Sequence, residues 1–233
     1  MIERVVVTGA SAGIGAACVD LFRERGAHVI GVDVAGTSMA HDHLQIDLAD
    51  PHCGDLLAAH LRGEAVDGLV NNAAVSLDKA ADEVNASEFD ELFAVNLRAP
   101  LLLAGALRKM LEARRGFVVN VASVHAVATS RLVSVYAASK GGLVALTRAL
   151  AVEWAPDVRV NAVLPGAIDT DMLRSGLERI GMTASSMGAK HPIGRVGDAS
   201  EVAAAVLFFA ENQFATGSTL IVDGGATAHL STE

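Results

Sequence analysis

Along the chain, short runs of β-branched residues alternate with longer stretches whose apolar positions recur every three or four residues. Val5-Val6-Val7, Val29-Ile30-Gly31-Val32, Gly68-Leu69-Val70, Val118-Val119-Asn120-Val121, Val158-Arg159-Val160 and Leu220-Ile221-Val222 read as buried strands. His43-Leu44-Gln45-Ile46 reads as a short additional one. Helical patterns occupy 13–25, 52–61, 87–113, 135–154 and 198–211, and the last opens on Asp198-Ala199-Ser200-Glu201, a capping-box pattern. Strand–helix alternation over residues 1–233 predicts one α/β domain with a doubly wound parallel sheet and helices on both faces. Right-handed crossovers favour seven strands in the order 3-2-1-4-5-6-7. The stretch 174–197, with five glycines and Pro192, breaks the alternation. It predicts a mobile loop or a pair of short helices, and a substrate lid near 170–197.

Composition narrows the class. Hydrophobic residues make up 52% and aromatics only 4%, so the core is expected to be aliphatic. The two cysteines, Cys18 and Cys53, form no CxxC pair, which points to a reducing, cytoplasmic setting. No secretory leader is read at the start, and no apolar run reaches the ~18 residues of a membrane span. A formal net charge of −9 opposes binding to nucleic acid. His41-Asp42-His43 lacks a third ligand at metal spacing, so a solvated loop and no metal are expected there.

The chemistry begins at the first strand. It runs into Thr8-Gly9-Ala10-Ser11-Ala12-Gly13-Ile14-Gly15 and a helix follows. Glycines there let the backbone approach a pyrophosphate, and the helix N-terminus offers free N–H groups and a positive dipole end. The spacing is GxxxGxG rather than the general GxGxxG of Rossmann-type folds. The second strand ends at Asp33, 18 residues after Gly15, where an acid can bind the adenosine ribose hydroxyls. A 2′-phosphate would meet a like charge, and neither Ser11-Ala12 nor Val34-Ala35 supplies a cation. NAD is therefore the expected cofactor rather than NADP.

Tyr136, the single tyrosine, and Lys140 are i and i+4 on one predicted helix and share a face; Ser123 lies just beyond a strand. A free phenol titrates near ~10. One cation at ~4 Å, with an effective dielectric of ~20, is worth about 4 kcal/mol, or roughly three pH units. Lys140 is thus expected to bring the phenol toward neutrality, where a general base works best.

TGASAGIG at 8–15, Asn71-Asn72-Ala73-Ala74, Asn96, Ser123, Tyr136-Ala137-Ala138-Ser139-Lys140, Pro165-Gly166-Ala167-Ile168-Asp169-Thr170 and Val222-Asp223-Gly224-Gly225 follow one another in the order of a single family. The chain resembles the short-chain dehydrogenases/reductases over nearly all of residues 4–225. The resemblance implies an NAD-dependent oxidoreductase moving a hydride between nicotinamide and a secondary alcohol or ketone. It implies that Tyr136 exchanges a proton with the substrate oxygen, that Ser123 hydrogen-bonds the same oxygen, and that Lys140 holds the nicotinamide ribose. Asn96 would bind a relay water. Gly9, Ser11, Gly13, Ile14 and Gly15 would cradle the pyrophosphate, with Asp33 on the ribose. Asp47 and Leu48 would contact adenine, Asn72, Ala73 and Ala74 would flank the adenosine side, and Pro165, Gly166, Ile168 and Thr170 would line the nicotinamide side. By the same resemblance the protein is a homotetramer, with one interface on helices 87–113 and 135–154 and another on the last strand with helix 198–211.

Two departures stand out. Asn-Asn-Ala-Gly of the family is Asn-Asn-Ala-Ala here, and the 14 positions from Asp33 to Asp47 leave no room for the helix many members place there. The candidate substrates are small cyclic alcohols, diols or hydroxy acids. A ketoreductase using NADPH on carrier-bound 3-oxoacyl chains is the alternative, for which Arg108, Lys109, Arg114 and Arg115 would form the carrier patch. A non-catalytic NAD sensor is the third reading. His125, two positions after Ser123, is either packed or solvated, or a contact to a polar or anionic substrate group. Met172, Leu173, Met182 and Met187 would line the lid.

Overall fold

The computed structural model describes residues 2–229. Its seven strands are β1 (Arg4–Thr8), β2 (His28–Asp33), β3 (Asp42–Gln45), β4 (Gly68–Asn71), β5 (Phe117–Val121), β6 (Arg159–Pro165) and β7 (Thr219–Val222). All pair in parallel in the order β3-β2-β1-β4-β5-β6-β7, as expected. The helices are α1 (Gly13–Glu24), α2 (Cys53–Leu61), α3 (Ala86–Phe93), α4 (Ala99–Glu112), α5 (Ser134–Trp154), α6 (Asp171–Arg179), α7 (Ala184–Gly188) and α8 (Ala199–Glu211).

The strands are apolar throughout because both faces are covered. Val5 and Val7 point into one aliphatic layer with Val19, Phe22, Val202 and Val206 of α1 and α8. Val6, between them, points into the opposite layer with Leu57, Leu103, Leu107 and Leu150 of α2, α4 and α5. Arg159 opens β6, and its guanidinium donates to the carbonyls of Phe209 (2.6 Å), Ala210 (2.8 Å) and Asn212 (2.7 Å), capping the C-terminal end of α8. Among the described residues no helix is long and apolar enough to cross a membrane.

Three local readings change. The helix expected over 87–113 is interrupted: α3 passes into a π-helical turn at Ala94–Arg98 before α4 begins. Its start is a capping box, with Glu88 N–H donating to Asn85 Oδ1 and Asn85 N–H to Glu88 Oε2, both at 3.0 Å. β6 extends to Pro165 and β3 ends at Gln45, one residue short of Ile46. The 174–197 stretch contains most of α6 and all of α7, the pair of short helices foreseen as one option. Parallel pairing puts the C-terminal ends of all strands at one edge of the sheet, and there Gly9, Asp33, Asn72, Ser123 and Gly166 converge.

Candidate active site

The turn after β1 is built for close approach. Gly9 sits at φ +64°, and a Cβ on Gly15 would lie 1.9 Å from the Gly9 carbonyl oxygen. Ala12, in the cap position of α1, offers no side chain to its N–H groups, which leaves that dipole end open to an anion. The buried Thr8 hydroxyl accepts from the N–H groups of Asn72 and Ala73, each at 3.0 Å. The Asn72 amide in turn donates to the carbonyls of Thr8 (2.9 Å) and Gly9 (3.2 Å). Asn72 is therefore a brace for the turn. Thr170 lies over the same turn, with its Cγ2 3.0 Å from where a Cβ of Gly13 would stand.

Asp33 accepts from Ser11 N–H (2.9 Å) and Ala35 N–H (3.1 Å). Partial burial works to raise its carboxyl, but these backbone donors outweigh it and hold the pKa below the usual value. Between Asp33 and β3 there is no helix. The segment is stapled instead from β3: His43 Nε2 meets Ala35 O at 2.8 Å, His43 Nδ1 meets Ser38 Oγ at 2.9 Å, and Gln45 Nε2 donates to Val34 O at 2.9 Å. The Ser11 hydroxyl donates to Thr37 O at 2.7 Å and closes the segment against the glycine turn. His43 thus has a structural task that its place in a His-Asp-His run did not reveal.

The remaining adenosine-side candidates divide. Asp47 is exposed and its carboxylate accepts from Ala49 N–H at 2.8 Å, whereas the Leu48 side chain is buried in the core. Ala74 is half-buried beside the braced pair. On the other side, Gly166 N–H donates to Val222 O at 2.9 Å, and the Thr170 hydroxyl caps α6 by accepting from Leu173 N–H at 3.4 Å. The Ile168 side chain is 5% exposed and packs into the core.

Ser123, Tyr136 and Lys140 come together where β5 ends against α5. The Ser123 hydroxyl accepts from His125 N–H at 3.2 Å and also meets the Tyr136 phenol. Lys140 is 2% exposed, its Nζ donates to Val121 O at 2.9 Å, and it lies 5.7 Å from the Tyr136 ring centre. Burial pushes its ammonium down to about 8. The expected lowering of the phenol is not present in the chain alone: burial raises the Tyr136 pKa, and the Ser123 hydrogen bond only partly opposes this. Lys140 does not offset this in the chain alone, and the same dry surroundings push its own ammonium down.

The Asn96 side chain is engaged within the fold. It is fully buried in the π-helical turn, and its amide oxygen accepts from Val75 N–H (2.9 Å). Its Nδ2 donates to Val75 O (2.9 Å) and Ser139 Oγ (3.1 Å). The side chain is spent on holding the segment after Asn72 against α5. Across the mouth, Arg179 of α6 donates to Asp78 at 2.5 Å, and Lys79 N–H donates to Leu132 O at 2.7 Å. Both links were missed in the sequence.

The glycine cradle, the open α1 terminus and the ionised Asp33 fit a dinucleotide. Together with the strand order, they define the nucleotide-binding half of an oxidoreductase. A family model described as enoyl-(acyl carrier protein) reductase matches residues 9–227. The chain is 37% identical to the short-chain type dehydrogenase/reductase y4vI of Sinorhizobium fredii over 95% of its length, spanning 43% of that longer protein. It is 37% identical to the 3-oxoacyl-[acyl-carrier-protein] reductase FabG of Vibrio cholerae, over 94% of this chain and 95% of that one. It is 33% identical to the NAD-dependent glycerol dehydrogenase of Listeria innocua, over 95% and 92%. The ligand-free aldohexose dehydrogenase of Thermoplasma acidophilum superposes with a TM-score of 0.95 at 32% identity, over 100% of this chain and 96% of that one. The chain belongs to the short-chain dehydrogenase/reductase family and is an enzyme acting on CH–OH-type substrates.

Proposed function

We propose that the protein is an NAD-dependent dehydrogenase of a small secondary alcohol, of the diol or polyol kind. The observation that carries the cofactor choice is Asp33: ionised, fixed by two backbone donors, and followed through residue 41 by no Lys or Arg. A 2′-phosphate there would meet repulsion without a compensating cation. The names of two relatives, a glycerol dehydrogenase and an aldohexose dehydrogenase, favour a hydroxylated substrate.

When bound, the nicotinamide takes up or supplies the hydride, so the protein has only the proton and the orientation to manage. Tyr136 exchanges the proton at the substrate oxygen, and Ser123 donates to that oxygen and aligns it. Lys140 serves the nicotinamide ribose and the phenol together. Holding its ammonium charged in the complex is what lowers the phenol. Asn96 acts through position, keeping Val75 and α5 in register. Gly9, Ser11, Gly13, Ile14 and Gly15 hold the pyrophosphate against α1, and Asp33 holds the adenosine ribose. Asp47, the Leu48 backbone, Ala73 and Ala74 border the adenine side. Pro165, Gly166, Ile168 and Thr170 border the nicotinamide. Residues 170–197 form the lid, and Arg179–Asp78 links it to the opposite wall.

The carrier-bound ketoreductase reading draws on the FabG relative. Its basic patch is broken, however: Arg108 is paired with Glu112 (2.7 Å) and Arg114 with Glu3 (2.7 Å). Assembly as a homotetramer is supported by the exposed apolar surface on the faces named from the sequence. Phe89 and Leu101 lie on one face; Phe208, Leu220 and Ile221, the last two on the open edge strand β7, lie on the other. The test is a panel of diols, polyols and cyclic alcohols read by reduced-nicotinamide absorbance with NAD and NADP. Turnover with NAD that is lost in Tyr136→Phe supports the proposal; preference for NADP in the wild type overturns it.

A further inference from the structure

Among the described residues, His125 is a titratable side chain beside Ser123 and Tyr136 that the mechanism above leaves unused. It lies in the 3-10 turn Val124–Ala126 that Ser123 caps, so its backbone is fixed to the Ser123 hydroxyl. Its ring meets the Tyr136 ring edge to face, with centroids 5.9 Å apart and planes at 80°. The imidazole therefore borders the place where a substrate carbon chain must extend from the reacting oxygen.

Its hydrogen bonds define what it can read. Nδ1 lies 3.3 Å from Thr129 Oγ1, and the Thr129 hydroxyl donates onward to Ser130 O at 3.5 Å. In the tautomer that leaves the Thr129 hydroxyl proton on Ser130 O, Nδ1–H donates to Thr129. Nε2 is then the bare, lone-pair nitrogen, and it has no partner among the described residues. Burial keeps this imidazole below its ordinary pKa despite the opposing charge of Asp78, so the ring is neutral near pH 7. A neutral acceptor attracts an O–H donor and offers nothing to a carboxylate or phosphate.

Resting on the dehydrogenase reading above, we propose that His125 is a specificity-determining residue whose Nε2 accepts a hydrogen bond from a hydroxyl on the carbon next to the reacting carbinol. The enzyme then selects vicinal diols and sugars over simple secondary alcohols and over hydroxy acids.

The experiment compares kcat/KM for 1,2-propanediol and 2-propanol, which share a secondary carbinol and differ by the neighbouring hydroxyl. The proteins are wild type, His125→Phe, which keeps a ring against Tyr136 without a nitrogen, and His125→Gln, which restores an acceptor. The diol-to-alcohol ratio should fall about tenfold in the Phe variant, as for one hydrogen bond of about 1.4 kcal/mol, and recover most of that in the Gln variant. On the wild-type protein, the His125 ring resonances, assigned by their loss in His125→Gln, should shift with 1,2-propanediol and not with equal 2-propanol. An unchanged ratio with unmoved resonances overturns this inference while leaving the dehydrogenase intact. Failure to oxidise any alcohol with either nicotinamide, with the His125 resonances still responding to the diol, overturns the dehydrogenase reading and leaves the hydroxyl site standing.

Discussion

Lys140 should make the folded protein less stable than it need be at neutral pH, and replacing it with Met should reveal this. Its pKa falls from 10.5 to about 8 on burial. Each pH unit is worth about 1.4 kcal/mol, so keeping the ammonium charged inside the fold costs about 3 kcal/mol at pH 7. The hydrogen bond to Val121 O returns about 1 kcal/mol, and the contact with the Tyr136 ring returns up to about 1 kcal/mol. Lys140→Met should therefore stabilise the cofactor-free chain at pH 7 by about 1 kcal/mol while removing turnover. Because the folded pKa is the lower one, the unfolded chain binds more protons between pH 8 and 10.5. The Lys-containing protein must gain stability relative to the Met variant as pH rises through that window. The gain should approach about 3 kcal/mol above pH 10.5. Urea unfolding of both proteins from pH 7 to 10.5, in a Tyr136→Phe background that removes the coupled phenol, measures the difference. A gap that does not change with pH would refute the reasoning.

Asp33→Ala should reduce NAD affinity roughly tenfold and narrow or reverse the preference over NADP, since hydrogen bonds to a charged group contribute about 1.5–3 kcal/mol; fluorescence titration with both nucleotides checks this. Gly15→Ala should abolish nucleotide binding by calorimetry, because the new methyl would stand 1.9 Å from a backbone oxygen that cannot give way. Arg159→Ala removes three charge-assisted bonds from the end of α8 and should lower unfolding free energy by about 3 kcal/mol in urea melts, with the midpoint moving and nucleotide affinity nearly unchanged.

The sheet was legible because a parallel sheet covered on both faces is written as uninterrupted β-branched runs, and crossover handedness restricts their order. The glycine turn, Asp33 and the Tyr136–Lys140 pair were legible because each depends on spacing within one or two elements. What escaped depends on distant packing. The π-helical turn at Ala94–Arg98 widens one turn without disturbing the apolar pattern, so 87–113 reads as a single helix. Asp78 and Arg179 are 101 positions apart, and nothing local marks them as partners. The charge state of Lys140 follows from complete burial, which spacing does not report. The stapling role of His43 was hidden because its two partners, Ala35 and Ser38, lie in an irregular segment without periodicity.

The short bridge between Ile168 and Gly197 has a bearing on how such an enzyme changes its diet. Asp169 N–H donates to Gly197 O at 2.8 Å and Gly197 N–H donates to Ala167 O at 2.9 Å, so the excursion from 170 to 196 leaves and returns at one fixed doorway. Its two ends are therefore pinned together, while between them Ile193 N–H also donates to Gly224 O beyond β7 at 3.2 Å. Doubling a flexible loop with joined ends adds only about 0.6 kcal/mol of closure cost. On the proposed lid reading, the segment would serve as an exchangeable cassette. Inserts of other lengths and linings can be spliced between the same two stitches, giving new substrate preferences while the nucleotide cradle beneath keeps its geometry.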